Sequence, residues 1–334
     1  MSGPDTASDG LVDVAMGPTA RGGDARHAVG FSHAALFYHS GREDQTAVTA
    51  IVRGAADSCA PLHVAVRRQT TRLISVAWRS PPAGSRIVDM TELGRNPARI
   101  IPAGLSFGDQ NPGRHVYCVW EPAWASRSGA ELSEVIRHEA LCNLAFRGRP
   151  MTVICLYDIA QLSAGYIADA ERTHPAVISD GHRRASAYYL GAGRLPPGCD
   201  DPLPPPPADA EVVAFNGYLA PVRAFSARLG TAAGLTTTRI SDLVLAVSEV
   251  AANALGHGDG SGVVTAWCTT DEFVCQIEDR GYIADPLAGR RRQSADAPGG
   301  HGLWLVNRVC DLVERRTGQD GTITRLHMRR VAAS

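Results

Sequence analysis

The sequence predicts an α/β part followed by an α+β part: an N-terminal, mostly parallel α/β sandwich and a C-terminal α/β sandwich. Three observations predict it. Five strand-like runs with helical stretches between most of them occupy the first half of the chain. The stretch "LPPGCDDPLPPPPADA" at 195–210 is too rich in proline for helix or central strand and reads as an extended, semi-rigid linker. Beyond it come a strand, two helical runs, a hairpin, a further helix and a last strand. With 334 residues the chain can build two domains with proper cores. The expected division is a disordered tail at 1–30, a first domain at 31–194, the linker at 195–210 and a second domain at 211–331.

Composition narrows the function classes. Hydrophobic residues make up 44% and charged residues 20%, as in globular proteins, and the net charge is -1. No overall basic field points to nucleic acid or to an anionic membrane surface. All 33 basic residues are arginine. A chain without lysine cannot carry a P-loop lysine, a Schiff base or pyridoxal chemistry. Eight cysteines occur with no CxxC spacing, which predicts buried, reduced thiols and a cytoplasmic setting. No apolar run reaches the length of a membrane span.

In the first domain, "HAALFYH", "LHVAVR", "RIVDM", "HVYCVW" and "MTVICLYD" read as strands of a parallel sheet covered on both faces. Ligands in open α/β sheets bind beyond the carboxyl ends of the strands. That rule nominates Tyr38, His39, Glu121, Trp124, Tyr157 and Asp158. The pair His138-Glu139 lies on a helical run, and His138 is a further candidate for the sensory site. Its place in an alternating α/β domain predicts a hydrogen-bonded structural histidine rather than a phosphoacceptor.

In the second domain "EVVAFNG" reads as a strand and "YLAPVRAFSARLGTAAGL" as a helix closing on glycine. "TTTRISDLVLAVSEVAANALGHG" is a second helix. On a wheel of 100° per residue, Ile240, Leu243, Val244, Val247, Val250, Ala251 and Ala254 form one apolar stripe. Glu249 and Asn253 fall opposite, one turn apart, flanked by small and apolar residues. Residues 263–269 and 273–278 form a hairpin that ends in Asp279-Arg280-Gly281. A carboxylate there can accept the exocyclic N–H of adenine, and glycine lets backbone approach a planar base. The polar stretch 282–300 reads as a lid containing Arg290, Arg291 and Arg292. "GGHGLWLVNRVCDLVERR" then opens a helix on Gly299, Gly300 and Gly302, where free amides can meet phosphate. "GTITRLHMRR" is a final strand.

The order Glu-x-x-x-Asn on a helix, Asp-x-Gly after a hairpin, a lid and a glycine turn resembles the GHKL ATPase superfamily, the Bergerat fold. Within it "LAVSEVAANALGHG" and "GGHGLWLVNRVCD" resemble the RsbW-type anti-sigma-factor serine kinases. The resemblance covers 211–331 and implies a two-layer α/β sandwich with a mixed sheet. It implies Asn253 as the Mg²⁺ ligand, Glu249 as general base, Asp279 and Gly281 at adenine, and Gly300 and Gly302 at the phosphates of ATP. The sequence departs from the family pattern at Ile283, where a second glycine is common. In the first domain "HAALFYHS", "EPAW" and "IRHEALCNLAF" resemble the MEDS sensory domain, which implies a small-molecule ligand.

These resemblances imply an anti-sigma regulatory factor gated by a sensory domain. It would bind Mg-ATP, sequester a sigma factor and phosphorylate a serine of a STAS-type antagonist. The alternatives are a non-catalytic ATP-binding anti-sigma switch and a sensor histidine kinase. A homodimer fits each of these, and neither nucleic acid nor membrane is an expected partner.

Overall fold

The computed structural model describes residues 30–40, 45–78, 81–292 and 300–330. Apart from Gly30, the expected tail lies outside them, as do residues 293–299 of the lid. The chain divides into two compact units. One is Met1–Gly94 with Ala103–Cys199, the other Arg95–Pro102 with Asp200–Ser334.

The first unit begins with β1 (Phe31–Tyr38), α1 (Gln45–Asp57), β2 (Leu62–Val66), α2 (Arg68–Ala77), β3 (Arg86–Asp89) and α3 (Met90–Leu93). After α4 (Ile100–Asp109) come β4 (Val116–Trp120), α5 (Gly129–Ala145), β5 (Met151–Asp158), α6 (Ala164–Thr173), β6 (Ala176–Ser179) and β7 (His182–Ala185). The sheet order is β3-β2-β4-β5-β1-β6-β7. Every pairing is parallel except β6 with β7. Strands β4 and β5 are buried along their whole length, as central strands of a two-sided parallel sheet must be. One face packs Leu36, Val64, Val119, Ile154 and Leu156 on Ile51 and Val52 of α1. Period two sends His33, Cys155 and Tyr157 to the other face, toward α5 and α6. Helix α5 starts with a reciprocal capping box: Glu131 N–H donates to Ser128 Oγ (3.2 Å) and Ser128 N–H to Glu131 Oε2 (2.8 Å).

The β6–β7 hairpin was not among the expected strands. Its signal is the two-residue turn Asp180-Gly181, with φ of 48° and 74°. Both values are positive, as a turn matching strand twist requires.

The second unit contains β8 (Glu211–Asn216), α7 (Ala220–Ala232), α8 (Thr237–His257), β9 (Ser261–Cys268), β10 (Glu272–Asp279), α9 (Gly302–Val309), β11 (Leu312–Gly318) and β12 (Gly321–Arg329). Helix α7 closes as its glycine predicts: Gly234 sits at φ +76° and Leu235 N–H reaches Gly230 O (3.0 Å). The sheet order is β11-β12-β10-β9-β8. All its pairings are antiparallel, which corrects the expected mixed sheet. A second correction concerns the last helix, expected to run through "CDLVERR". It ends at Val309, Cys310 turns extended (φ −83°, ψ 150°), and residues 312–318 become β11 by pairing along β12. Leu243, Val247, Val250, Ala251 and Ala254 of α8 form the core with Phe273, Cys275, Ile277, Leu326 and Met328 of the sheet. The sheet's other face is polar. There Arg325 Nε donates to Gln276 Oε1 (2.8 Å), and His327 lies between Glu272 (2.8 Å) and Glu314 (2.9 Å).

Candidate functional site

Helix α8 carries the first half of the candidate site. Thr236 caps it by accepting from Arg239 N–H (3.3 Å), and its apolar stripe fixes its rotation on the sheet. That rotation leaves Glu249 and Asn253 together on the far side, half-buried. Neither side chain makes a hydrogen bond to a described residue. Two neighbouring polar side chains without a partner among the described residues, held on one face of a packed helix, are available to a ligand.

The glycine turn supplies the second element. Gly300 has φ +85°, and Gly302 is the first residue of α9. The N-cap residue His301 makes no side-chain cap, which leaves the first amides of the helix without a side-chain partner among the described residues. A Cβ at position 302 would collide with the Glu249 carboxylate, so the acid lies directly against the positive end of α9.

The third element is the end of β10. Asp279 Oδ1 accepts from Gly281 N–H (2.6 Å). Burial raises the Asp279 pKa above the ordinary value, Gly281 N–H pulls it back, and the neighbouring Asp259 raises it further. A Cβ at Gly281 would stand 2.6 Å from Asp279 Oδ1 and 3.3 Å from Gly258 Cα, at the end of α8. Helix α8 thus runs from the α9 turn to the Asp279 corner. Nine residues separate Glu249 from Gly258, about 13 Å of rise. Asn253 lies between the two ends. An open groove of about 570 Å³ past Asn216, Asp259 and Arg280 also reaches Asp279, so this acid is approachable from solvent.

The first part of the lid is held down. Gly281 O accepts from Thr322 Oγ1 (2.8 Å), and Ile283 N–H donates to Thr317 Oγ1 (3.1 Å). Asn307 Nδ2 of α9 donates to Gly289 O (3.1 Å). The lid arginines are not a uniform solvated run. Arg290 is buried, Arg291 pairs with Asp285 (2.9 Å), and Arg292 lies over the Trp304 ring at 5.6 Å.

In the first unit the strand-end rule gathers some candidates and disperses others. Tyr38 ends β1, Asp158 ends β5 and Glu121 follows β4, on adjacent strands. Burial, then the charges of Glu121 and Asp158, push the Tyr38 hydroxyl pKa up. Glu121 is held by Arg67: Nη2 lies 2.6 Å from Oε1, and Arg67 N–H donates to Oε2 (2.8 Å). Arg67 was missed, although it follows β2 and the same rule applies to it. Asp158 is occupied with its own turn, accepting from Ala160 N–H (3.1 Å). Trp124 lies beneath the Arg127 guanidinium, 3.7 Å away, and His39 is exposed. Tyr157 alternates to the opposite face, where its hydroxyl donates to Glu139 Oε1 (2.8 Å). His138 is fully buried on α5 with Cys142 Sγ 3.5 Å from its ring nitrogen, which suits a structural histidine and not a phosphoacceptor.

Comparison with known families matches both units. Residues 212–328 match the family model of the histidine kinase-like ATPase domain. Residues 32–175 match that of MEDS, the methanogen/methylotroph, DcmR sensory domain. No curated protein matches the chain. Among the described residues no helix is long and apolar enough to cross a membrane.

Proposed function

We propose that this chain, a MEDS domain joined to a histidine kinase-like ATPase domain, is a ligand-gated anti-sigma regulator that binds Mg-ATP and phosphorylates a serine of a STAS-type antagonist. In this reading the unphosphorylated antagonist occupies the ATPase domain and leaves the sigma factor free. Phosphorylation places extra negative charge at the docking face, releases the antagonist, and lets the domain capture sigma.

The observation that carries the ATP reading is the pair Glu249 and Asn253, without a partner among the described residues, on the helix that runs between two glycine cradles. At both Gly281 and Gly302 a Cβ would fill the approach to a functional carboxylate. Asp279 and Gly281 would hold the adenine edge. The first amides of α9, opened by Gly300 and Gly302, would hold phosphate. Asn253 offers a neutral amide oxygen to Mg²⁺, which takes few protein ligands. When bound, the ion neutralises phosphate charge. Glu249, against the α9 turn, is the base that orients and deprotonates the attacking serine hydroxyl. In the transfer the hydroxyl oxygen bonds to the γ-phosphorus, the bond to the β-phosphate bridging oxygen breaks, ADP leaves, and Glu249 takes the hydroxyl proton.

The test is labelling with γ-labelled ATP and Mg²⁺ in the presence of antagonist candidates captured from the native host. The expected result is acid-stable label on a partner serine, abolished by Glu249→Ala while ATP binding persists. Acid-labile label on the chain itself would replace the proposal with a histidine kinase. ATP binding without any transfer would replace it with a stoichiometric switch.

A further inference from the structure

Four metal-ligating side chains that the proposed function does not use converge under the first unit's sheet. His33 is on β1, Cys155 on β5 and Glu139 on α5, while His174 follows α6. The β1–β5 register sets Ala35 beside Cys155, so His33, two residues before Ala35, shares that face. All four residues are buried, none more than 2% exposed. Glu139 Oε2 is 3.2 Å from His33 Nε2, 3.4 Å from His174 Nε2 and 3.3 Å from Cys155 Sγ. Cys155 Sγ is 3.6 Å from His33 Nε2. One ligand atom from each of the four residues lies within 4.8 Å of every other.

The outer partners determine what these atoms offer. Asn143 Nδ2 donates to Thr173 O (2.8 Å), which fixes Asn143 Oδ1 as the acceptor facing His33 Nδ1 (3.1 Å). His174 Nδ1 donates to Ala170 O (2.7 Å), a carbonyl that only accepts. Both imidazoles therefore carry a proton on Nδ1, so Nε2 is the inward atom of each and offers, in the neutral ring, a lone pair able to ligate. Without a cation His33 Nε2 is hydrogen-bonded to Glu139 Oε2 (3.2 Å). The inward His174 Nε2 has no hydrogen bond although it is completely buried. Tyr157 O–H donates to Glu139 Oε1, leaving Oε2 as the inward carboxylate oxygen. With both rings neutral, two nitrogen lone pairs, a carboxylate oxygen and the Cys155 sulfur face one another. A buried arrangement of this kind calls for a cation.

Its size suits one. Zinc bonds of about 2.0–2.2 Å to nitrogen and oxygen and about 2.3 Å to sulfur make a tetrahedron with edges of about 3.3–3.7 Å. Four of the six edges, at 3.2–3.6 Å, lie close to that range, and the two from His174 to His33 and to Cys155 are within 4.8 Å. Charge suits it as well. Two neutral imidazoles, one carboxylate and one thiolate balance a dication, so the filled site is neutral in the core. His138 and Cys142 form a smaller set around the same Glu139, with three ligands and no closed tetrahedron.

We propose that His33, Glu139, Cys155 and His174 form a buried four-coordinate site for a divalent transition metal of the zinc class. On binding, the metal–sulfur bond forms as the S–H bond breaks, and the proton goes to solvent. Tyr157 and Asn143 are the outer groups that orient the carboxylate and His33. A closed set of four protein ligands marks a site that ties β1, β5, α5 and the end of α6 together.

The test uses the full chain, isolated without chelator and also reconstituted with Zn²⁺ or Co²⁺. Elemental analysis is expected to give about one metal per chain, and the cobalt form a tetrahedral spectrum with a thiolate charge-transfer band. Cys155→Ser should remove that band, whereas Cys142→Ser should retain both band and stoichiometry. Tyr157→Phe, a milder change, should weaken zinc binding about 10–100-fold. Absence of stoichiometric metal from the reconstituted wild-type chain would overturn the proposal, whatever the variants do. So would a cobalt spectrum unchanged in Cys155→Ser, or one lost in Cys142→Ser and kept in Cys155→Ser. In those cases the cluster is a proton-bridged network of His174 and Glu139.

Discussion

Replacing Gly302 by alanine puts a methyl group where the Glu249 carboxylate now lies. The obstructing atom is the far end of a flexible side chain, so the carboxylate turns away and the backbone stays. Forcing that side chain off its rotamer costs about 0.5–1.5 kcal/mol. Alanine in place of glycine returns up to about 1 kcal/mol in a helix interior and less at Gly302, the first residue of α9. The two partly cancel, and folding stability should change by at most about 1.5 kcal/mol. The chemistry has no such compensation. A misplaced general base costs ~10²–10⁴ in rate, about 3–5 kcal/mol of barrier. Gly302→Ala should therefore melt close to wild type, yet lose at least ~10²-fold in turnover of γ-labelled ATP at saturating nucleotide, beyond any weakening of phosphate binding at the α9 turn. Thermal melts, an ATP titration and initial rates on the same preparations make the comparison. Wild-type turnover in Gly302→Ala would refute the placement of Glu249, and so would a rate loss that merely follows a loss of folding.

Three further expectations concern other parts of the molecule. Asp279→Ala should abolish preference for adenine over guanine nucleotides, read by GTP competition against labelled ATP. Burial opposes charge on His327, but its bonds to Glu272 and Glu314 outweigh burial and raise its pKa to about 9 from the ordinary 6.5. A raised value means that the clamp contributes fully below pH 6.5 and is lost as pH climbs through 9. Wild type should lose on the order of 3 kcal/mol across that window relative to His327→Gln, in urea unfolding at the two limits. A Cβ on Gly104 would stand 2.8 Å from Trp120 and 2.9 Å from Phe146. Overpacking of about 1–3 kcal/mol, less about 1 kcal/mol of helix propensity, should leave Gly104→Ala less stable by up to about 2 kcal/mol in the same assay.

Legibility in the sequence followed the range of the physics. The apolar stripe of α8 is local, so its period placed Glu249 and Asn253 on one side without any tertiary knowledge. Strand β11 was illegible because "DLVERR" continues a helical pattern and becomes a strand only through pairing with β12. The mixed sheet was implied by the resemblance alone; strand direction is a property of the partner, and every pairing is antiparallel. Tyr157 and Asp158 were nominated together by the strand-end rule, yet alternation sends Tyr157 to the opposite face. His33, Cys155 and His174 carried no spacing signal at all. They come from separate elements and meet Glu139 only when the sheet and helices close over them. Arg290 illustrates the converse, a residue in a charge run that tertiary packing buries.

The central claim is that the surface of α8 between Gly302 and Gly281 is a Mg-ATP site. Titration calorimetry of the full chain with ATP, in Mg²⁺ and in chelator, tests it most directly, with Asn253→Ala and Asp279→Ala alongside. The account predicts one-site binding that depends on Mg²⁺, strong weakening in Asn253→Ala, and loss of adenine selectivity in Asp279→Ala. Equal binding by all three proteins, with or without Mg²⁺, would contradict it.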